Sequence, residues 1–297
     1  MPQFKLKDGR ELEILDNGIN SESTIIFHHG TPGHASTWSE WLESAASAGI
    51  RALSYSRAGY GTSDRNPGRS VISINTDISQ LLDSKNISKF VSIGWSGGGP
   101  HSLATTCEPR NVGAISLAGV GAYGVEDLDF LEGMGPENHD EFGAALKDEA
   151  TIDQWMNENA GPMKSVTGGE IIEAFGGLIG EADKAALKDG AAEQMAASMR
   201  SGLAVSFDGW IDDDLVFVKP WGFDLAAITK PVFLWQGDDD FMVPHAHAYW
   251  LEKHIPTAQL NFVPGEGHIS LGTKHRGAIL KQAFDLLTAE SHLPKTP

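Results

Sequence analysis

Ser96 stands between glycines placed two residues away on either side, in Gly94-Trp95-Ser96-Gly97-Gly98. A serine hydroxyl is a weak nucleophile at neutral pH. It attacks a carbonyl carbon only when a base takes its proton and a carboxylate orients that base. The glycine spacing suits a sharp, strained turn, because residues without side chains at 94 and 98 let neighbouring backbone pass close by. Such a turn presents the hydroxyl to the start of a helix, where free amide groups can hold developing negative charge. The base and acid have candidates in two later loops, Gln236-Gly237-Asp238-Asp239-Asp240 and Gly265-Glu266-Gly267-His268. The chain order Ser, Asp, His is expected when the strand ends of one parallel sheet supply all three.

The elements needed to position these groups are legible. Phe90 to Ile93 is a short apolar run of strand type, and Pro100 suits the first turn of a helix through Leu103 and Ala104. Upstream, Phe4–Lys7 and Glu11–Ile14 flank Asp8-Gly9 as a hairpin. Thr24 to His28 and Arg51 to Tyr55 read as strands. Helical spacing follows the first at Trp38, Trp41, Leu42 and Ala45, and the second at Ile74, Ile78, Leu81 and Leu82. Val112–Leu117, Pro231–Trp235 and Gln259–Val263 continue the strands, with helices over His245–His254 and Leu271–Leu287. This alternation predicts an α/β fold with a mostly parallel central sheet flanked by helices. Residues 122–221 break the rhythm. They offer helical patches at Glu141–Leu146, Ile152–Met156, Ile171–Leu178 and Ala185–Arg200, but no strand. The expected organisation is a core of residues 1–121 and 222–297 with a helical cap at 122–221. The tail 291–297 is expected to fray.

Charge supports that division. The chain carries a formal charge of −18, and residues 122–221 hold 21 Asp and Glu against 6 Lys and Arg. So acidic a protein is a poor partner for nucleic acid. No stretch is long and apolar enough for a membrane span. The N-terminal residues show no apolar leader, and Cys107, the single cysteine, is expected as a buried small hydrophobe. A cytoplasmic location is the expectation from this cysteine usage. No cofactor or metal is expected. Gly59 and Gly61 lack the third glycine of a dinucleotide loop, which would fall at Asp64. His245 and His247, two apart on a helix, do not share a face.

Five segments together resemble the α/β-hydrolase superfamily: HHGTPG at 28–33, SRAGYGTSD at 56–64, GWSGGGP at 94–100, QGDDDFMVP at 236–244 and GEGH at 265–268. The resemblance implies the α/β-hydrolase fold with a helical lid. It also implies Ser96 as nucleophile, His268 as base and Asp240 as acid, with Asp238 and Asp239 as loop charges. By the same resemblance the Thr31 and Gly97 amides form the oxyanion hole. His29, Gly30, Gly94, Trp95 and Gly98 then support the elbow and its neighbouring loop, and Arg57 ties loops together. His28 is expected in the core strand, and His101 is expected to point away from Ser96.

The activity implied is cleavage of a carboxylic ester or related acyl bond in a small-molecule substrate. A serine rather than an aspartate at 96 argues against epoxide hydrolases and haloalkane dehalogenases of the superfamily. Alternatives on the same scaffold are a proline-iminopeptidase-like aminopeptidase, a cofactor-free perhydrolase and a non-catalytic small-molecule receptor. The aminopeptidase reading rests on the His-Gly-Thr-Pro-Gly loop and the many lid carboxylates. Against it, that family carries H-G-G-P-G in the loop and G-G-S-W-G at the elbow. Phe130, Leu131, Met134, Trp155, Met156, Met163, Phe175 and Met199 are candidates to line the entrance, and the lid's charge is expected to disfavour anionic substrates.

Overall fold

A computed structural model describes residues 1–188 and 190–289. Its eight-stranded sheet runs in the order β1 (Gln3–Lys5), β2 (Glu11–Asp16), β4 (Arg51–Tyr55), β3 (Ser23–His28), β5 (Lys89–Trp95), β6 (Asn111–Leu117), β7 (Val232–Gly237), β8 (Ala258–Val263). β2 pairs antiparallel with β1 and β4, and the other pairings are parallel. The expected N-terminal hairpin is therefore the antiparallel edge of the sheet.

The central strands read as near-continuous apolar runs because both faces are covered. Successive side chains alternate between those faces. Ile25, Phe27, Val91, Ile93, Ile115 and Leu117 point toward α1 (Ser39–Ser47) and α11 (Ser270–Thr288), where they pack with Trp38, Trp41, Leu271 and Ile279. Ile26, Leu53, Phe90 and Ala114 face the other way, into a cluster with Ile78, Leu81 and Leu82 of α2 (Ile74–Ser84) and Leu103 of α3 (Gly98–Ala104). Leu251 of α10 (Ala246–His254) joins this second cluster. Each fully buried side chain of this size contributes roughly 1.5–3 kcal/mol.

β3 lies between β4 and β5, so the chain leaves it first to one side and then to the other. A crevice opens at the carboxyl ends of strands where the order reverses in this way. The register places His28 beside Gly94. The loops after β3 and β5 are therefore neighbours in space although more than 60 residues apart in sequence.

Between β6 and β7 the chain builds six helices: α4 (Pro136–Ala145), α5 (Glu149–Asn159), α6 (Ile171–Phe175), α7 (Glu181–Ala186), α8 (Ala191–Gly202) and α9 (Asp208–Phe217). They bury their own apolar cluster of Ile152, Met156, Leu203, Phe207, Trp210 and Ile211, into which Tyr60 of the sheet layer inserts. Among the described residues this stretch holds no named strand, although Ile179 forms an isolated bridge with Asp240.

Three expectations need correction. The span Ala185–Arg200 is two helices, with α7 closing at Ala186 and α8 beginning at Ala191 after Gly190 (φ 95°). Helix α9 escaped the sequence pattern because Asp212, Asp213 and Asp214 occupy buried positions where apolar residues are expected. Cys107 is exposed, at the end of a short 3-10 turn after α3, where the chain has already left the sheet. The tail 291–297 lies outside the described residues.

Candidate active site

β5 ends and α3 begins across a single residue pair, with Ser96 at the corner in the left-handed region (φ 56°). L-residues adopt this conformation rarely and at a cost of roughly 1–3 kcal/mol. The surroundings hold it: Ser96 N donates to Leu117 O (2.9 Å), and Gly99 N donates to Ser96 O (2.8 Å). The flanking glycines are sterically required. A Cβ on Gly98 would lie 2.7 Å from His29 O and closer still to His28 O, and one on Gly94 would collide with the Gly98 carbonyl.

The loop after β7 carries the three aspartates, and the structure separates them. Asp238 accepts from Gly265 N (2.6 Å) and Asp239 from Ala182 N (2.9 Å), so both tie loops together. Asp240 is buried and accepts at Oδ2 from His268 Nδ1 (2.9 Å). Its remaining capacity takes Gln236 Nε2 (3.0 Å), Met242 N (3.0 Å) and Val243 N (2.8 Å). This leaves His268 Nε2 as the ring nitrogen free to act. Burial disfavours the charged ring. The Asp240 charge and hydrogen bond, with a further contribution from Asp183, outweigh it and hold the His268 pKa above its ordinary value.

Ser96, His268, Thr31 and Gly97 line one cavity of about 310 Å³. Among the described residues Ser96 Oγ has no hydrogen-bond partner. Contacts between such a hydroxyl and its base commonly tighten only when substrate is bound. The Thr31 and Gly97 amides also donate to no protein group among the described residues. The two residues touch, since a Cβ on Gly97 would overlap the Thr31 side chain.

The loop bearing Thr31 is braced from below. His29 donates from Nδ1 to Gly30 O (2.7 Å) and accepts at Nε2 from Arg57 N (2.9 Å), which fixes one neutral tautomer. Burial, then the charge of Arg57, pushes its pKa well below the usual value. Arg57 is fully buried. Its guanidinium reaches His29 O, Gly30 O (2.9 Å), Thr31 Oγ1 (3.1 Å) and Asp213. Asp213 in turn accepts from Thr31 Oγ1 (2.6 Å) and Tyr60 Oη (2.8 Å) and pairs with Arg69 (2.8 Å). Burial opposes its charge, yet Arg57 and Arg69 hold its carboxyl well below the usual carboxylate range. Trp95 donates from Nε1 to His268 O (2.9 Å). Gly30 sits close to the Trp95 ring and Ser96, where a Cβ would lie 3.1–3.2 Å from their carbon atoms, tighter than ordinary contact.

The other histidines fall elsewhere. His28 is a core residue bonded to Tyr55 Oη (2.7 Å). His101 donates to Gly97 O (2.9 Å) on α3, and burial lowers its pKa to about 3. His247 accepts from Gly121 N (2.9 Å) and donates to Phe130 O (3.0 Å), which fastens the exit of β6 to the insertion. His245 is exposed beside Tyr249 and Phe262.

The cavity walls combine expected and unforeseen residues. Met134, Trp155, Met163, Phe175 and Met199 line it as anticipated, whereas Phe130, Leu131 and Met156 do not. Met156 is fully buried among the helices, and Phe130 packs edge-on against Phe142 and His247. Four carboxyl groups also line the cavity, those of Glu137, Asp140, Glu141 and Asp214, and among the described residues no Lys or Arg lines it. Glu141 accepts from Trp210 Nε1 (2.6 Å) and meets Asp214. Burial pushes Glu141 up to about 7. Burial and the neighbouring Glu141 charge raise Asp214 well above the carboxylate range. Both shifts favour one protonated carboxyl over two charged ones in this pair. The acidity of residues 122–221 is thus partly turned inward, since Asp183, Asp212, Asp213 and Asp214 are all buried. Residue type alone gave no signal of which acids these are. The nearest hint is the run of arginines at 57, 65 and 69, which pair with Asp212 and Asp213.

Comparison with known proteins matches this architecture. Residues 23–274 match the alpha/beta hydrolase fold family, and the chain belongs to it and is an enzyme of that family. It is 24% identical over 280 residues to a non-heme chloroperoxidase of Burkholderia pyrrocinia, covering 90% of this chain and 93% of that one. It is 29% identical over 143 residues to a non-heme chloroperoxidase of Streptomyces lividans, covering 47% of this chain and about half (52%) of the relative. Among solved structures, a thermophilic esterase from Thermogutta terrifontis superposes with a TM-score of 0.70 at 19% identity, over 97% of this chain and 100% of that one. No helix among the described residues is long and apolar enough to cross a membrane.

Proposed function

We propose that this hydrolase cleaves carboxylic esters, or closely related acyl bonds, through a covalent acyl-serine. The observation that carries the reading is the His268–Asp240 hydrogen bond (2.9 Å) beside a left-handed Ser96 on the same cavity. Ser96 Oγ attacks the substrate carbonyl carbon while His268 Nε2 takes its proton. Asp240 holds the ring and stabilises the imidazolium that forms. The Thr31 and Gly97 amides receive the negative oxygen of the tetrahedral intermediate. One such donor is worth about 3 kcal/mol. Collapse breaks the bond to the leaving alcohol, which takes the proton from His268. Water then attacks the acyl-serine with His268 again as base, and the acid leaves. A cavity of about 310 Å³ is at the small end of the range of roughly 300–1,000 Å³ seen for ligand sites, which favours small or medium substrates. Its apolar walls suit a hydrocarbon acyl or alcohol group.

A second reading follows from the four cavity carboxyls. A substrate carrying a basic amine, including an N-terminal amine as in a proline-iminopeptidase-like reaction, would find opposite charge there and, among the described residues, no Lys or Arg in the lining. The names of the chloroperoxidase relatives support a third, peracid formation by peroxide attack on the same acyl-serine.

The test is a p-nitrophenyl acyl series, proline p-nitroanilide, and peroxide with a short carboxylic acid, each with wild type and Ser96→Ala. Ester turnover that vanishes with Ser96→Ala supports the first reading. Turnover that survives that substitution excludes Ser96 as nucleophile. Faster anilide or peracid chemistry would favour one of the other two.

A further inference from the structure

One turn of the insertion grips both loops that carry the proposed acid and base. Ile179 is bridged to Asp240, and Ala182 N donates to Asp239 Oδ2 (2.9 Å). Asp183 is fully buried and crosses from α7 to the start of α11. Its Oδ2 accepts from His268 N (3.0 Å), and its Oδ1 accepts from Ile269 N (2.8 Å) and Ser270 N (2.8 Å). Those amides open a 19-residue helix and would otherwise lack partners, and an anion there also meets the positive end of the helix dipole. Gly267 follows from the same contact, since a Cβ would lie 2.5–2.7 Å from the Asp183 carboxyl atoms. Gly180 likewise leaves no room for a side chain against Asp239.

We propose that Asp183 is a positioning residue for the reaction: from the insertion it pins the backbone of His268, so that the ring meets Asp240 and faces Ser96. Residues 179–183 are then a fixed part of the catalytic apparatus and not a movable cover. This inference rests on the assignment of His268 as the base. The Asp183 charge also favours the charged imidazole, after that of Asp240. The other charges nearby are engaged elsewhere. Lys274 and His275 of α11 face Glu266, Lys184 pairs with Glu181, and Asp238 and Asp239 take backbone amides.

The test uses two substitutions and the unaltered protein. Asp183→Asn keeps one oxygen acceptor and removes the charge. Gly267→Ala keeps the charge and wedges a methyl group against it. In each folded variant kcat on a p-nitrophenyl ester should fall by about 10- to 100-fold with KM changed less than about 3-fold. In Asp183→Asn the acid limb of kcat/KM, and the His268 ring titration followed by NMR, should both move to lower pH. In wild type the amides of His268, Ile269 and Ser270 should exchange as slowly as those of β5. Unchanged kcat and ring titration in folded Asp183→Asn, or fast exchange of the three amides, overturns the proposal. The two failures are separable. Turnover that persists in Ser96→Ala rejects the serine-hydrolase reading, whereas Ser96-dependent turnover that is indifferent to Asp183 rejects the positioning role.

Discussion

Replacing Asp214 by asparagine should change how stability depends on pH. Both oxygens of Asp214 are buried and receive no donor among the described residues, and the carboxyl meets that of Glu141. Burial pushes Glu141 up to about 7 in the folded state, from an ordinary value of 4.5. A carboxyl whose folded pKa is raised binds more protons folded than unfolded. Its contribution is therefore fully present below the unfolded pKa and is lost as pH rises through the folded one. For Glu141 the window runs from about pH 4.5 to 7. Between pH 5 and pH 8 wild type should lose roughly 2–3 kcal/mol from this group alone. Asp214, raised further, adds loss in the same direction. Asp214→Asn removes that group's own titration, and the new amide can donate to Glu141 as the protonated Asp214 carboxyl does. The loss contributed by Asp214 disappears and the slope flattens, while the Glu141 loss, set by burial, remains. Relative to wild type, the variant should gain stability steadily from pH 5 to pH 8. In a domain of this size each 1 kcal/mol gained corresponds to a Tm rise of about 2 °C. Urea unfolding at half-unit pH steps, followed by tryptophan fluorescence, measures this. A variant that keeps the wild-type slope would refute the raised pKa of Asp214, because the amide does not titrate.

The remaining expectations are more direct. Asp240→Asn should leave the fold intact and lower kcat about 10³–10⁴-fold, measured by steady-state kinetics, because an amide can stabilise neither the required ring tautomer nor its cation. Asp213→Ala leaves the buried Arg57 without its partner and should cost about 3–5 kcal/mol, read from the urea midpoint; a loss below 1 kcal/mol would discount this cluster as a support. Gly98→Ala should abolish ester turnover by driving the elbow away from His28 and His29, and a fully active variant would show that the close approach is not needed. In wild type kcat/KM should fall as pH drops through the His268 pKa, with an acid limb above about 6.5, since only the neutral ring can take the Ser96 proton. A limb near pH 5 would contradict the influence of Asp240.

Much of this molecule was legible in one dimension, and the reason is local. The strand runs are apolar because both sheet faces are covered, and the turns at 94–98 and 265–268 need glycine where backbone or a carboxyl approaches too closely for a side chain. Ser96, Asp240 and His268 could be proposed together because each lies in the turn or loop that follows a strand of one parallel sheet, and strand ends lie together by topology. Tertiary structure alone decided which of some twenty acids between 122 and 221 turn inward, where α9 runs, and that Asp183 meets the loop of His268. An aspartate reads the same in sequence whether water or a buried arginine neutralises it. Only the packed chain supplies the partner, and the cost of burying an unpaired charge makes that partner decisive.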